Sequence, residues 1–368
     1  MIFDQFKFFN VLNDIKASDK IVLNNVQSKC YLNRQTIDSD LKTKVNNILK
    51  RVISELNNIL QKNEYYVNDI EGLYIIKDDK NIYFLDVEDT SSMSILEGVD
   101  TIVNLAAVHR DDIKPLSRYD DVNVQGAVNV CEVSKKFGIN NIVFTSSVAI
   151  YGFAPDNTDE TGEPNFFNDY GRTKYLAEKV YMDWYEEDPI NRKLVIIRPT
   201  VIFGEANRGN VYNLLKQIAS KRFIMFGKGQ NIKSMAYVEN VAAFLEFSLT
   251  FNKGVHIFNY IDKPDLDMNN LISSIRSILF NKKNVGLRLP AFIGYLAGYF
   301  FDAIAFLLKK TLPISSIRVK KFMSSSQFNT SIANTGFIAP IKLEDGLNKT
   351  ITYEFLEDNS ESRTFETE

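Results

Sequence analysis

Three short, continuously apolar runs separated by helix-length segments constrain this chain more than any other feature. The runs are TIVNLA (101–106), NIVFTSS (141–147) and KLVIIRP (193–199), and the segments between them are roughly 114–138 and 169–187. Strands without polar alternation are buried on both faces, and strands that alternate with helices form parallel sheets. The sequence therefore predicts an α/β fold with a doubly wound parallel sheet.

Small or polar residues lie at the carboxyl end of each predicted strand. Ala106 and Ala107 follow the first run, Ser147 ends the second, and Pro199 ends the third. In open parallel sheets, ligands bind beyond the carboxyl ends of the strands. These residues are therefore expected to line a binding site at one edge of the sheet.

The composition excludes several classes of protein. The chain has 368 residues, 45% hydrophobic and 24% charged, with a formal net charge of −3, which excludes wholesale disorder and gives no basic footprint for nucleic acid. Two cysteines and two histidines are too few for a disulfide framework or a histidine-based metal centre, so no metal is expected. The start MIFDQFKFFN lacks the basic and apolar regions of a signal peptide. A cytoplasmic location is therefore expected.

The segment AFIGYLAGYFFDAIAFLL (291–308) approaches the length of a membrane span. Asp302 interrupts it, and a charge inside a span is costly, so a span is disfavoured. The sequence favours a buried or interface helix, and peripheral contact with a membrane stays open.

Tyr170 and Lys174, at the start of the predicted helix 169–187, carry the strongest chemical signal. Positions i and i+4 share one helix face, and a nearby ammonium lowers the pKa of a phenol from about 10. Such a tyrosine exchanges protons near neutral pH, and Ser147 could hold the reacting oxygen beside it. Taken alone, the same spacing is also that of an ordinary side-chain pair on a helix.

Further motifs surround this pair in a fixed order. They are DVED (86–89), GVDTIVNLAAVHRDD (98–112), DVNVQGAVNVCE (121–132), FTSSVAIYG (144–152), YGRTK (170–174), RPTVIFG (198–204), FGKGQNIKSMAYVENVA (226–242) and HIFNYIDKP (256–264). With them, residues from about 81 to 357 resemble the extended short-chain dehydrogenase/reductase family, in its nucleotide-sugar epimerase/dehydratase branch. The resemblance implies a Rossmann-like sheet followed by a smaller C-terminal α/β subdomain that binds substrate.

The resemblance also implies a role for each residue that matches a motif. Tyr170 is implied as the acid/base, Lys174 as the group that tunes it and binds the nicotinamide ribose, and Ser147 as the residue that polarises the sugar oxygen. Besides Tyr170 and Lys174, the residues implied in binding NAD or NADP are Asp86, Val87, Ala106, Ala107 and Pro199. The residues implied in binding a nucleotide sugar are His109, Arg208, Asn210, Gly227 and Lys233.

The activity implied by the resemblance is that of a nucleotide-sugar epimerase, dehydratase or reductase. Its chemistry is hydride transfer between the sugar and NAD or NADP, and its role is the synthesis of surface polysaccharide. A homodimer formed through the helices near 114–138 and 169–187 is also implied. The motifs leave open the sugar, the nucleotide, the reaction subtype and the choice between NAD and NADP.

The start of the chain departs from this family. Relatives begin with a strand and a TGxxGxxG turn, whose backbone N–H groups hold the cofactor pyrophosphate at a helix N-terminus. Here residues 1–71 contain no glycine. The start is a replaced or frame-disrupted segment, a different module fused to a truncated core, or a glycine-free variant of the first βα unit. The competing hypothesis for function is therefore a catalytically impaired relative, kept as a binding or interaction protein or a non-functional product.

These observations divide the chain into four parts. Residues 1–80 form an atypical N-terminal segment, with a helix predicted over 41–60 and a hairpin or two short strands at LYIIK and NIYFLD. Residues 81–200 form the Rossmann-like core, 201–357 mainly the substrate subdomain, and 358–368 a flexible tail.

Overall fold

The computed structural model of the chain describes residues 73–78, 81–110, 113–308 and 316–358. The described residues fall into two compact units, divided between Ile95 and Leu96. The helix predicted over 41–60 and residues 359–368 of the predicted tail lie outside the described residues.

An antiparallel hairpin makes up most of the described part of the first unit. Strands β1 (Leu73–Asp78) and β2 (Asn81–Asp86) pair along their whole length, so the hairpin predicted from the sequence is confirmed. After β2 the chain turns tightly, because the Asp86 carboxylate accepts a hydrogen bond from the backbone N–H of Glu88 at 2.9 Å. A short 3-10 helix follows at Ser92–Leu96.

The second unit alternates strands and helices along most of its length. Its strands are β3 (Thr101–Asn104), β4 (Asn141–Thr145), β5 (Lys193–Pro199), β6 (Val201–Phe203), β7 (Met225–Phe226), β8 (Ile232–Lys233), β9 (Met235–Tyr237), β10 (Gly254–Tyr260), β11 (Leu266–Asp267) and β12 (Arg288–Leu289). Its helices are α1 (Ser117–Tyr119), α2 (Gly126–Phe137), α3 (Asp169–Glu186), α4 (Asn210–Ala219), α5 (Val238–Ser248), α6 (Met268–Phe280), α7 (Ala291–Leu308), α8 (Ser316–Met323) and α9 (Leu343–Phe355). A π-helical segment (Asp120–Gln125) joins α1 to α2, and 3-10 helices lie at Val148–Tyr151 and Ile332–Thr335.

Four parallel strands form the main sheet, in the order β10-β5-β4-β3. Helices cover both of its faces. On one face Phe144 of β4 packs on Tyr181 of α3, with ring centroids 4.6 Å apart; on the other, Phe244 of α5 packs on Phe258 and Tyr260 of β10, each at 5.4 Å. All seven residues of β5 are buried. The predicted parallel α/β sheet, covered on both faces, is therefore confirmed.

A second hydrophobic core holds the smaller C-terminal subdomain together. Helices α4, α6 and α9 contribute Leu215, Ile272 and Leu347, each no more than 1% exposed, and they pack around Met225 and Tyr237 from the short strands β7 and β9. Among the residues that the structure describes, no helix is long and apolar enough to cross a bilayer.

A buried ion pair joins the central strand to helix α3. Arg198, at the end of β5, donates two hydrogen bonds to the carboxylate of Glu178, at 2.9 and 2.6 Å. A third hydrogen bond runs from Arg198 to the hydroxyl of Tyr151 at 2.6 Å, and that hydroxyl donates to Asn259 of β10 at 3.0 Å. The guanidinium thus links α3, β5 and the loop after β4 in a place that water does not reach.

Replacing Glu178 with alanine is expected to lower the free energy of unfolding by about 3–5 kcal/mol, because it leaves the buried Arg198 guanidinium without its counter-ion. Urea unfolding followed by circular dichroism measures the loss. The matched control is Glu187→Ala, which removes a half-exposed carboxylate bonded to Lys135 and Arg192 and is expected to cost at most about 1 kcal/mol. Equal losses for the two variants would contradict the role given to the buried pair.

Candidate active site

Ser147 lies at the carboxyl edge of the main sheet, two residues after β4 ends. It caps the 3-10 helix Val148–Tyr151, and its hydroxyl accepts a hydrogen bond from the backbone N–H of Ala149 at 3.1 Å. The cap fixes the side-chain oxygen while the residue remains partly exposed. Ser147 is therefore a hydroxyl held at the sheet edge, where it can meet a ligand.

The start of α3 brings Tyr170 to the same edge. Asn168 caps the helix by accepting a hydrogen bond from the backbone N–H of Gly171 at 2.9 Å. Gly171 lies so close to the turn after Ser147 that a Cβ atom there would be 2.5 Å from the carbonyl oxygen of Ala149. The glycine beside Tyr170 thus lets the helix start pack directly on the turn that carries Ser147.

Lys174 lies one turn further along α3 and is 1% exposed. Its ammonium lies over the ring of Phe144, with Nζ 4.3 Å from the ring centroid. Burial lowers the pKa of Lys174 to about 7, and the field of Glu178 opposes that shift. Both protonation states therefore occur near neutral pH, and the protonated form is the one that favours a phenolate on a neighbouring tyrosine.

Asn123 fixes the loop after β3 relative to helix α3. Its side chain accepts a hydrogen bond from the backbone N–H of Val108 at 2.8 Å and donates to the carbonyl of Val108 at 3.0 Å. It also donates to the hydroxyl of Thr173 at 2.9 Å, between Tyr170 and Lys174 in the chain. Asn123 lies in the π-helical segment, and such segments often occur at functional sites. The sequence pattern does not mark Asn123 as a functional residue, although it lies within the motif DVNVQGAVNVCE.

An ion pair on the outer side of α3 holds it to the same π-helical segment. Arg172 donates two hydrogen bonds to Asp120, at 2.9 and 2.6 Å, and a third to Asp169 at 3.0 Å. The hydrogen bond from Arg172 holds the pKa of Asp120 below its usual range. Two contacts, one through Asn123 and one through Arg172, therefore set the position of the residues between Tyr170 and Lys174.

Three of the residues expected to bind NAD or NADP, Ala106, Ala107 and Pro199, lie at this edge. Ala106 is buried two residues after the end of β3, with its N–H bonded to the Asn104 side chain at 2.9 Å; Ala107 follows it, and Pro199 ends β5. Buried polar atoms of Thr145, Ser146 and His109 have no hydrogen-bond partner among the described residues. Small side chains beside unsatisfied polar atoms fit a ligand bound here.

Two expected cofactor residues lie elsewhere in the chain. Asp86 ends β2 and Val87 is buried just after it, and both belong to the first compact unit. The backbone N–H of Asp86 bonds to the hydroxyl of Ser92 at 3.0 Å. Their expected contact with the adenine stays a prediction.

Four expected substrate residues belong to the C-terminal subdomain, and two of these already bind protein groups. Arg208 forms a salt bridge with the buried carboxylate of Glu354 and stacks over Tyr212, 4.1 Å from the ring centroid. Lys233 donates to the carbonyls of Lys321 at 2.9 Å and Ser324 at 2.6 Å, at the end of α8. Lys233 therefore anchors α8.

The other expected substrate residues have looser surroundings. Asn210 is exposed at the first position of α4. Gly227 adopts φ +77°, a conformation that side chains disfavour, and its N–H bonds to the carbonyl of Leu289 at 2.9 Å. The Nδ1 atom of His109 lies 3.5 Å from the carbonyl oxygen of Ala107. No contact of these residues decides their role in binding substrate, and those roles stay predictions.

Lys174→Met is expected to raise the melting temperature at pH 7 by on the order of 5 °C and to bring no gain near pH 10. The reason is that, between about pH 7 and 10, the unfolded chain binds a proton on Lys174 that the folded chain does not, so lowering the pH destabilises the wild type. Differential scanning calorimetry at both pH values tests this. The control Lys135→Met removes a half-exposed lysine and should bring no gain; parallel pH profiles for wild type and Lys174→Met would contradict the expectation.

Similar proteins of known family indicate the family to which this chain belongs. The sequence profile described as the NAD dependent epimerase/dehydratase family matches residues 54–260, beginning upstream of the motifs quoted above. An N-acetyl-alpha-D-glucosaminyl-diphospho-ditrans,octacis-undecaprenol 4-epimerase of Escherichia coli O157:H7 is 49% identical over 286 residues, which are 77% of this chain and 86% of that protein.

Solved structures share the fold. The UDP-glucose 4-epimerase of Thermotoga maritima, with UDP-glucose, gives a TM-score of 0.58 at 20% identity, covering 83% of this chain and 96% of that one. The UDP-glucuronic acid 4-epimerase of Bacillus cereus, in complex with NAD, gives a TM-score of 0.56 at 19% identity, covering 73% and 78%. With the profile match and the 49% identical relative, these likenesses show that the chain belongs to the NAD-dependent epimerase/dehydratase family, as an extended short-chain dehydrogenase/reductase with a Rossmann-like fold and NAD as its cofactor.

Proposed function

We propose that this protein is a sugar 4-epimerase that acts on an N-acetylhexosamine joined through a diphosphate to a polyprenol carrier, in the synthesis of surface polysaccharide. The observation that carries the proposal is the 49% identity to the undecaprenol-linked epimerase over 77% of this chain. The edge geometry of Ser147, Tyr170 and Lys174 supports it, because it supplies a hydroxyl, a phenol and an ammonium beside one binding edge.

The proposed proton transfers run through α3. Tyr170 takes the proton of the sugar hydroxyl at C4 and later gives a proton back to the same oxygen. Ser147 donates a hydrogen bond to that oxygen, and the Lys174 ammonium stabilises the phenolate of Tyr170. Ala106, Ala107, Pro199 and Lys174 would hold NAD, which would supply the hydride acceptor for the sugar carbon and the hydride donor for the return step.

The proposed epimerisation needs a sugar ring that turns and catalytic side chains that stay in place. The sugar ring must present both faces of C4 to the same cofactor, so it turns while the catalytic groups keep their places. The hydrogen bond from Asn123 to Thr173 and the ion pair between Arg172 and Asp120 support a fixed position of α3. An epimerase gains rate from this arrangement because the acid/base stays oriented through both hydride steps.

Direct assay tests the substrate class. The full chain is incubated with NAD and either an N-acetylglucosaminyl diphosphate of a short polyprenol or UDP-N-acetylglucosamine, and the formation of the 4-epimer is followed by chromatography. We expect turnover of the polyprenyl substrate. Turnover of the nucleotide sugar alone would replace the proposed carrier with the nucleotide expected from the sequence. No NAD binding at millimolar concentration would favour the impaired relative, which the glycine-free start suggests.

Tyr170→Phe is expected to lower kcat by about 10²–10⁴-fold, because the proton acceptor is removed while the ring remains. The matched control is Tyr175→Phe, the same change one turn along α3, at a ring that packs against Phe166; it should keep activity within about twofold. The assay above measures both. A Tyr170→Phe enzyme with unchanged kcat would remove Tyr170 from the proposed mechanism.

Asn123→Ala is expected to lower kcat about tenfold through the loss of orientation of α3, with a smaller change in KM. Asn129→Ala, in the same helical run, removes another buried amide, bonded to Gln125 at 3.0 Å, and serves as the control. Urea unfolding accompanies the kinetics. If the two variants lose similar stability but only Asn123→Ala loses kcat, Asn123 is a positioning residue; equal kcat values would make its role purely structural.

The remaining expectations belong to the same proposal. A homodimer through α2 and α3, a cytoplasmic location and the four-part division at residues 80, 200 and 357 are supported by the resemblance and by the sequence. The exposed apolar side chains of α7 support peripheral membrane contact through 291–308. Sedimentation at micromolar concentration measures the oligomeric state.

A further inference from the structure

In the first ten residues of helix α7, five large apolar side chains are exposed and both glycines are buried. Gly294 and Gly298 are buried, and a Cβ atom on Gly294 would lie 3.0 Å from the ring of Phe226. The exposed side chains are Phe292 (67%), Leu296 (67%), Tyr299 (63%), Phe300 (61%) and Tyr295 (36%). In an ordinary surface helix the large apolar residues face the core. The pattern here is reversed, so the outward face needs another explanation.

The exposed residues form one stripe. They occupy positions 292, 295, 296, 299 and 300, which is the i, i+3, i+4, i+7, i+8 spacing of a single helix face. Scattered apolar side chains on a surface are normal, but a contiguous stripe of this kind marks a contact with another apolar phase. The stripe is rich in aromatic residues, as in helices that lie at the boundary of lipid head groups and acyl chains.

The one charged residue of α7, Asp302, bonds to the start of helix α8. The carboxylate of Asp302 accepts a hydrogen bond from the backbone N–H of Ser316 at 3.2 Å, at the first residue of α8. A carboxylate at a helix N-terminus is stabilised by the helix dipole. Asp302, which argues against a membrane span in the sequence, therefore serves the packing of α7 on α8.

Helix α8 packs on α7 and carries positive charge. Lys320 is exposed, with Nζ 5.0 Å from the ring centroid of Phe153, and Lys321 lies 4.4 Å from that of Phe167. Phe153 and Phe167 pack on each other at 5.2 Å and are themselves 42% and 46% exposed. Lys320 and Lys321 thus connect α8 to the exposed pair Phe153 and Phe167, and Phe167 lies just before α3.

We propose that the α7 stripe, Lys320 and Lys321 of α8, and the pair Phe153 and Phe167 form a surface that docks on an anionic phospholipid bilayer. The inference rests on the proposed function for its purpose, since a polyprenol-linked sugar is presented at a bilayer surface. Charge complementarity selects this occupant, because lysines beside an aromatic stripe attract anionic head groups although the whole chain carries a net charge of −3.

Docking in this way has a direct consequence for the active site. Phe167 precedes α3 by two residues, and Tyr170 is the second residue of that helix. A bilayer in contact with Phe153 and Phe167 therefore lies beside the start of the catalytic helix. A diphosphate-linked sugar at the head-group level reaches the site while its polyprenol stays in the membrane.

Vesicle flotation of the full chain tests the proposal without substrate. Vesicles of phosphatidylcholine with phosphatidylglycerol are compared with vesicles of phosphatidylcholine alone. We expect the wild type to float with the anionic vesicles, and Leu296→Glu/Phe300→Glu to reduce the bound fraction about tenfold, because two carboxylates on the stripe oppose burial in lipid. The control Ile190→Glu places the same charge on an apolar residue that is 83% exposed elsewhere, and it should float like the wild type.

Three results would overturn the docking surface: a wild type that does not float, a control that loses binding equally, or sedimentation that shows the double variant as a monomer and the wild type as a dimer, which would make the stripe a contact between two copies. Circular dichroism and unfolding verify that the double variant folds. The substrate assay is separate. A wild type that floats but epimerises only UDP-N-acetylglucosamine leaves the docking surface standing and overturns the carrier proposed above.

Discussion

The buried ion pair between Arg198 and Glu178 is the interaction on which the rest of the site depends. It joins the end of the central strand to the helix that carries Tyr170 and Lys174, and Tyr151 extends it to the turn after Ser147. Two buried charges cost free energy when they leave water, so the pair is kept because it fixes geometry rather than because it adds much stability. The main sheet provides the carboxyl edge at which the site lies, and the ion pair fixes the position of α3 relative to that edge.

Burial of a second charged group, the ammonium of Lys174, also costs free energy in this region. Lys174 is buried against Phe144, and its pKa near 7 records how poorly that environment supports an ammonium. A solvated lysine would be more stable but would act on Tyr170 through water, where a charge has little effect. Within the part of the chain that the structure describes, buried polar atoms of Ser146 and His109 at the same edge have no hydrogen-bond partner. A site that gives up stability in this way gains when a ligand supplies the missing partners.

Local patterns predict the strands well and the long-range contacts poorly. The run KLVIIRP becomes β5 with the predicted ends, because all of its residues are buried. The run TIVNLA yields a strand only as far as Asn104, since the following alanines serve the loop. Lys233, which the resemblance implies in binding a nucleotide sugar, donates to carbonyls about ninety residues away at the end of α8, and no local spacing encodes these contacts. No local pattern identifies Asn123 either, because its partner Thr173 is fifty residues away in the chain.

Helix α7 illustrates why apolar content alone does not fix the environment of a helix. Its sequence is apolar on almost every side, so periodicity cannot say which face the protein covers. Packing decides, because the close approach to Phe226 needs a residue without a side chain, and Gly294 provides it. Once the two glycines face inward, the side chains of the exposed stripe face outward, at an energetic disadvantage in water. Such an arrangement is sustained when the exposed face has an apolar phase to enter, as in the bilayer docking proposed above.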